Sequence, residues 1–195
     1  WLAAETAEAA YHVEAVDDGR FLVIGRQQQQ DIRLCLFGAY AKELSKVGGY
    51  AGDIEFDAVA GRVLYGTDGL SPATVCAKKL WKDVLSEAEG KRVPAHAGSG
   101  ALLSSDRKNF FYGKLQFDAM DLTKTRFEYG EPIIAASANL AFGATRFYDV
   151  ATSDPVGSLG FTAGAIGVAP DGKSMWVIDS KWTTLRWYAL EPGFK

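Results

Sequence analysis

The sequence predicts a mainly β protein assembled from repeats of short antiparallel strands, and three observations predict it. Apolar runs of four or five residues come in pairs around small polar turns. Valine, isoleucine and aromatic residues fill those runs, which suits a pleated, packed surface. The pairs also recur, starting near residues 13, 54, 101, 133 and 165, in uneven steps of about 30 to 47 residues.

The first pair runs from Val13-Glu14-Ala15-Val16 through Asp17-Asp18-Gly19-Arg20 into Phe21-Leu22-Val23-Ile24-Gly25. In the second, Ile54-Glu55-Phe56-Asp57 leads through Ala60-Gly61-Arg62 into Val63-Leu64-Tyr65-Gly66. In the third, Ala101-Leu102-Leu103 leads through Ser105-Asp106-Arg107-Lys108 into Phe110-Phe111-Tyr112-Gly113. A shortened fourth repeat runs from Ile133 through Asn139-Leu140-Ala141-Phe142 to Asp149. The last pair is the clearest: Ala165-Ile166-Gly167-Val168-Ala169, then Pro170-Asp171-Gly172-Lys173, then Met175-Trp176-Val177-Ile178. Asp-Gly supplies the positive backbone dihedral of a tight turn, so these pairs read as hairpins. Third strands are expected over residues 31–37, 115–122, 145–150 and 184–190, and fourth strands over 125–129 and 155–161. The repeat is then about the size of a four-stranded propeller blade.

Two segments read differently. Ser71-Pro72, followed by Ala73, Cys76, Ala77, Leu80, Trp81, Val84, Leu85 and Ala88 and ending at Gly90, has the spacing, proline start and glycine stop of an amphipathic helix. It would replace the third strand of its repeat. Cys35, Leu36, Ala39, Tyr40, Leu44 and Val47 before Gly48-Gly49 fit a helix as well as a strand pair, and the first ten residues are rich in Ala and Glu. The expectation is therefore propeller-like repeats with one or two inserted helices in the amino-terminal half. The alternative is an α/β amino-terminal half followed by a β-meander.

Arg146-Phe147-Tyr148-Asp149-Val150-Ala151-Thr152, Pro155-Val156-Gly157, Ala169-Pro170-Asp171-Gly172-Lys173 and Met175-Trp176-Val177 together resemble the repeat of the YVTN and WD40-like β-propellers. The resemblance covers the carboxy-terminal half and implies an architecture, with no particular activity. One domain over residues 1–195 is expected, with a possible sub-boundary near 91–100.

With 195 residues, 48% hydrophobic and 12% aromatic, the chain has ample material for a core. Its 21 Lys plus Arg against 24 Asp plus Glu give a net charge of −3 and no basic run, which argues against nucleic acid. No apolar stretch is long enough for a membrane-spanning helix. The chain opens on Trp1 without a signal-like segment, so the expectation is either a removed leader or part of a larger product. Cys35 and Cys76 are not at metal-site spacing; they could form one bridge, and two buried free thiols are the favoured reading. The resemblance implies an exported bacterial protein, whereas free thiols point inward, so the compartment stays open.

Chemistry-bearing candidates are few. Asp68, in Tyr65-Gly66-Thr67-Asp68-Gly69, stands at a strand end where a carboxylate can bind a metal or act as a base; its plainer role is to cap the turn. His96, in the small-residue loop Pro94-Ala95-His96-Ala97-Gly98-Ser99-Gly100, is the other catalytic candidate, although no nucleophile-elbow pattern surrounds Ser99 or Ser104. Gln28 lies in a run of four glutamines on the turn after the second strand, and its counterpart in the last repeat holds Lys181 and Trp182. A tryptophan on a polar turn is either a recognition anchor or partly buried beneath a neighbouring blade. Trp176 and Trp187, on strands, read as core.

The resulting reading is a non-catalytic binding or assembly module. It would present Gln28, Lys181 and Trp182 on a loop rim to a protein partner or to a second copy, and it needs no cofactor. The alternative is a metal-assisted hydrolase, or a lactonase- or lyase-type propeller, using Asp68 and Asp179.

Overall fold

The computed structural model describes residues 10–17, 19–25, 33–38, 42–48, 53–66, 73–86, 89–93 and 100–190. Among these residues run twenty strands and no helix. All strand pairs are antiparallel. The chain divides into two compact units, Trp1–Ala101 and Leu102–Lys195.

In the first unit, β1 (Ala10–Asp17), β2 (Arg20–Gly25), β3 (Arg33–Phe37) and β4 (Glu43–Gly48) form a sheet in chain order. The second sheet holds β5 (Ile54–Asp57), β6 (Arg62–Gly66), β7 (Ala73–Trp81), β8 (Val84–Leu85) and β9 (Glu89–Val93). Here β7 uses one edge twice: its start pairs with β9 and its end with β8. Leu22, Ile24, Leu34 and Leu36 of the first sheet pack with Ile54, Phe56, Val63 and Tyr65 of the second.

The helix expected after Pro72 is a strand, and the segment that fitted a helix as well as a strand pair is the strand pair. Residues 73–81 form β7, the third strand of its sheet and not its replacement, and residues 33–37 and 43–48 form β3 and β4. The cause is visible in β7. Val75 and Cys76 are both buried although they point to opposite faces, so a strand covered on both sides loses its alternation and its apolar spacing imitates a helix. Ser71 and Pro72, the proposed helix start, lie outside the described residues, as does most of the amino-terminal Ala/Glu-rich stretch.

The second unit takes in β10 (Ala101–Leu103), all but its first residue, with β11 (Asn109–Tyr112), β12 (Leu115–Asp118) and β13 (Asp121–Glu128) as its first sheet. Residues 115–122, expected as one strand, are split by a turn at Ala119 and Met120 into β12 and the start of β13. The next sheet is β14 (Ile133–Ala136), β15 (Leu140–Gly143), β16 (Arg146–Asp149) and β17 (Pro155–Ser158), so this repeat is complete and not shortened. The last sheet has three strands among the described residues: β18 (Ala163–Val168), β19 (Ser174–Asp179) and β20 (Leu185–Ala189).

A recurring device closes the turns: an aspartate whose carboxylate accepts backbone N–H bonds two or three residues on. Asp57 accepts from Val59 and Ala60 at 3.1 and 3.2 Å, Asp149 from Ala151 and Thr152 at 2.7 and 3.1 Å, and Asp171 from Lys173 at 2.9 Å. Gly172 sits at φ +68°, the left-handed turn position expected of Asp-Gly.

Polar ties join the first two sheets of this unit. Gln116, fully buried on β12, donates through Nε2 to Asn109 Oδ1 at 2.8 Å and to the Val150 carbonyl at 3.2 Å, while its Oε1 accepts from the Tyr129 hydroxyl. Burial, and secondarily the charge of Asp149, push the Tyr129 pKa up, which keeps the proton that this bond requires. Glu131 clasps the β15–β16 turn, accepting from Thr145 N at 3.1 Å and Arg146 N at 2.9 Å. Phe111, Tyr129, Ile133 and Tyr148 fill the space between, with the two tyrosine rings edge to face at 5.2 Å. Between the second and last sheets, Ala163 N donates to Ala144 O at 2.7 Å and the packing is apolar: Phe142, Ala163, Met175 and Val177.

Candidate functional site

The candidate surface is built on the last sheet and its β19–β20 turn. Asp179 organises that turn: its carboxylate accepts from Thr183 N at 2.8 Å, Thr184 N at 3.3 Å and the Thr183 hydroxyl at 2.9 Å. These bonds, the Thr183 backbone bond foremost, hold the Asp179 pKa below its ordinary 3.8. A lowered folded pKa stabilises the turn at pH values above the unfolded value, and that contribution is lost as pH falls through the folded one. The Trp182 and Thr183 amide resonances should therefore keep their positions at pH 4 and move together only below the ordinary aspartate value. Asp179→Asn should remove that transition; a transition at or above pH 3.8 would contradict the assignment.

Within the turn, Trp182 donates its backbone N–H to Asp179 O at 2.9 Å and adopts φ +58°, a left-handed conformation that a bulky residue seldom takes. Its side chain is 67% exposed, and Lys181 beside it is exposed as well.

The sheet below the turn has two unlike faces. Met175, Val177 and Tyr188 pack toward the preceding sheet. On the opposite face, Trp176 lies directly across from Trp187 and Ile178 across from Leu185. Trp176 is 42% exposed, Trp187 60% and Leu185 64%. Trp176 and Trp187 are thus surface residues and not the core residues expected from sequence, because no described sheet covers this face. Once the turn at residues 180–183 is placed, the sequence does pair the two tryptophans; what it lacks is a sign of which face is covered.

An apolar pocket of about 210 Å³ opens between the second and third sheets of this unit, lined by Leu140, Phe142, Phe147, Leu159, Met175 and Tyr188 among others. Near it Arg186 lies over the Phe161 ring at 4.3 Å. The first unit carries a smaller exposed apolar group, Trp81 with Val84 across from it on the β7–β8 hairpin.

Asp68, His96 and Gln28 lie outside the described residues. Asp179, named as a possible metal ligand, spends its carboxylate on the turn. Among the described residues no group of three or more His, Cys, Asp or Glu is placed to hold a metal ion. Cys76 is buried and Cys35 half-buried, and neither is in a disulfide.

No protein-family model matches the chain, and no curated protein does. Among solved structures 111 chains match. One belongs to the crystal structure of the mitotic checkpoint complex, at a TM-score of 0.69 and 12% identity, over 96% of this chain and 63% of that one. What the two share is the fold. The present chain, mainly β, is a propeller of antiparallel sheets, and it spans 63% of the length of the solved chain. No described helix is long and apolar enough to cross a membrane.

Proposed function

We propose that this protein is a non-catalytic protein-binding module whose contact face is the β19–β20 turn and the tryptophan face beside it. The observation that carries the reading is Trp182, an indole held out into solvent on a left-handed backbone. Such a conformation costs about 1–2 kcal/mol for a residue with a side chain, and strain of this kind is characteristic of recognition sites. Tryptophan is also among the residue types that dominate the hot spots of protein interfaces. The fold fits the role, since propellers present loops on a rigid frame, and the solved chain it resembles is part of a multiprotein complex. Lys181, exposed beside Trp182 on the same turn, belongs to the proposed face.

The test is quantitative. A partner recovered with the tagged chain is identified, purified and titrated against the native protein, Trp182→Ala and Lys181→Ala. Trp182→Ala should weaken binding about 30-fold, the signature of an interface anchor, and Lys181→Ala should act mainly on the association rate. Unchanged affinity in both variants would place the contact elsewhere and overturn the reading.

A further inference from the structure

We infer that Asp179 and Gly164 are positioning residues for the proposed contact, holding residues 180–183 in the one conformation that presents Trp182, so that the indole is set before a partner arrives. The inference rests on the binding-module reading and adds how that site is prepared.

Trp182 occupies a place where a side chain is a burden. The turn closes through Trp182 N to Asp179 O at 2.9 Å, and the residue that closes it takes φ +58°, a conformation left to glycine and, less often, to asparagine or aspartate. On its own, a tryptophan would hold that conformation roughly tenfold less readily than an ordinary backbone state. Groups outside the residue have to supply the difference.

The Asp179 carboxylate is the first of them. Its Oδ1 accepts from Thr183 N at 2.8 Å and from Thr184 N at 3.3 Å, and its Oδ2 accepts from the Thr183 hydroxyl at 2.9 Å. These bonds fix the chain on the carboxy side of Trp182. Arg186, acting on Asp179 from β20, favours the same ionised carboxylate, and across the sheet Asp179 pairs with the uncharged Ala163 of β18.

The second is a missing side chain on β18. Ala163 pairs with Asp179 and Ala165 with Ile178, so Gly164 is an extra residue, a bulge at the strand end beside the turn. A Cβ on Gly164 would stand 2.8 Å from the Asp179 carbonyl oxygen and 3.1 Å from Ser180 Cα, both backbone atoms that cannot swing aside. That oxygen is the acceptor of the Trp182 N–H bond. Ser180 N also donates to Thr162 O at 2.9 Å, which ties the turn to the chain just before β18. Bulges re-aim side chains beside functional sites, and the turn that this one supports carries Trp182. A turn set in advance spares a partner the cost of ordering it.

Two measurements on the full chain test this, and the first needs no partner. Amide hydrogen exchange at Trp182 and Thr183 should quicken about tenfold or more in Asp179→Ala and in Gly164→Ala. Asp179→Asn, which keeps an acceptor oxygen without the charge, should stay near native. Against the partner purified for the Trp182 titration, both alanine variants should bind more weakly, by up to about tenfold, through slower association, because only the fraction of chains with the turn formed is competent. Trp182→Ala should act through faster dissociation. The two alanine changes combined should cost less than the sum of their separate effects, since they disturb one turn. Circular dichroism checks the fold of each variant. Native exchange rates in both alanine variants, native affinity in both, or an Asp179→Asn variant as impaired as Asp179→Ala would each overturn the inference. Unchanged affinity in Trp182→Ala would instead overturn the binding-module reading, and the two failures are distinguishable because the exchange rates report the turn alone.

Discussion

Phe111→Ala will lower the unfolding free energy of the second unit by about 3–5 kcal/mol, the cost of emptying a large aromatic site from a packed core. Phe111 is fully buried on β11, its ring 6.0 Å from that of Tyr129, which in turn meets Tyr148 edge to face. Ile133 and Ala141 close the same cluster from the neighbouring sheet. Backbone hydrogen bonds on both flanks keep the sheets apart, Ile133 N to Gly113 O at 2.9 Å and Ser105 N to Ala136 O at 3.2 Å, so the cavity cannot collapse. Urea unfolding followed by tryptophan fluorescence reads the loss, since Trp176, Trp182 and Trp187 all lie in this unit. A change below about 1 kcal/mol would mean that the two sheets do not pack as described.

Gln116→Leu is the second large effect, about 3 kcal/mol, and it arises from polarity at nearly constant volume. The substitution strands the Tyr129 hydroxyl and the Val150 carbonyl in the interior, each costing about 1–3 kcal/mol, while Asn109 Oδ1 keeps the Arg126 guanidinium at 3.2 Å. The double variant Gln116→Leu, Tyr129→Phe removes one stranded group and should recover about 1 kcal/mol. A double variant no more stable than the single one would show that the tyrosine hydroxyl finds another partner.

The strand pairs were legible where local chemistry and long-range packing agree. Asp171-Gly172, between two runs rich in branched and aromatic residues, can be little else than a hairpin turn, and the five first strands begin within three residues of where the pattern places them. Two of the misreadings share one cause: a sequence does not state how many faces of a strand are covered. Residues 73–81 are covered on both faces along their first half, so the period of two vanished and a helical spacing took its place. Residues 174–179 are covered on one face, so Trp176 looked like core although the facing layer is absent among the described residues. That Lys181 and Trp182 stand on an exposed turn was legible because polar residues flank the indole on both sides. Nothing local announced that Trp187 would stand beside them, since that depends on the register across β19 and β20.

The uneven seams of the second unit set an order of opening. Its first two sheets are riveted by Gln116, Glu131 and backbone bonds, whereas the last sheet leans on its neighbour through apolar contacts, one backbone bond from Ala163 and a 210 Å³ gap. Such a sheet is the leaf that opens at the lowest free energy, and it is the same leaf that displays Trp176, Trp182 and Trp187. A partner that grips the β19–β20 turn would therefore stiffen the softest element of the unit as it binds. Affinity at that turn would then be tied to the order the partner imposes on the last three strands.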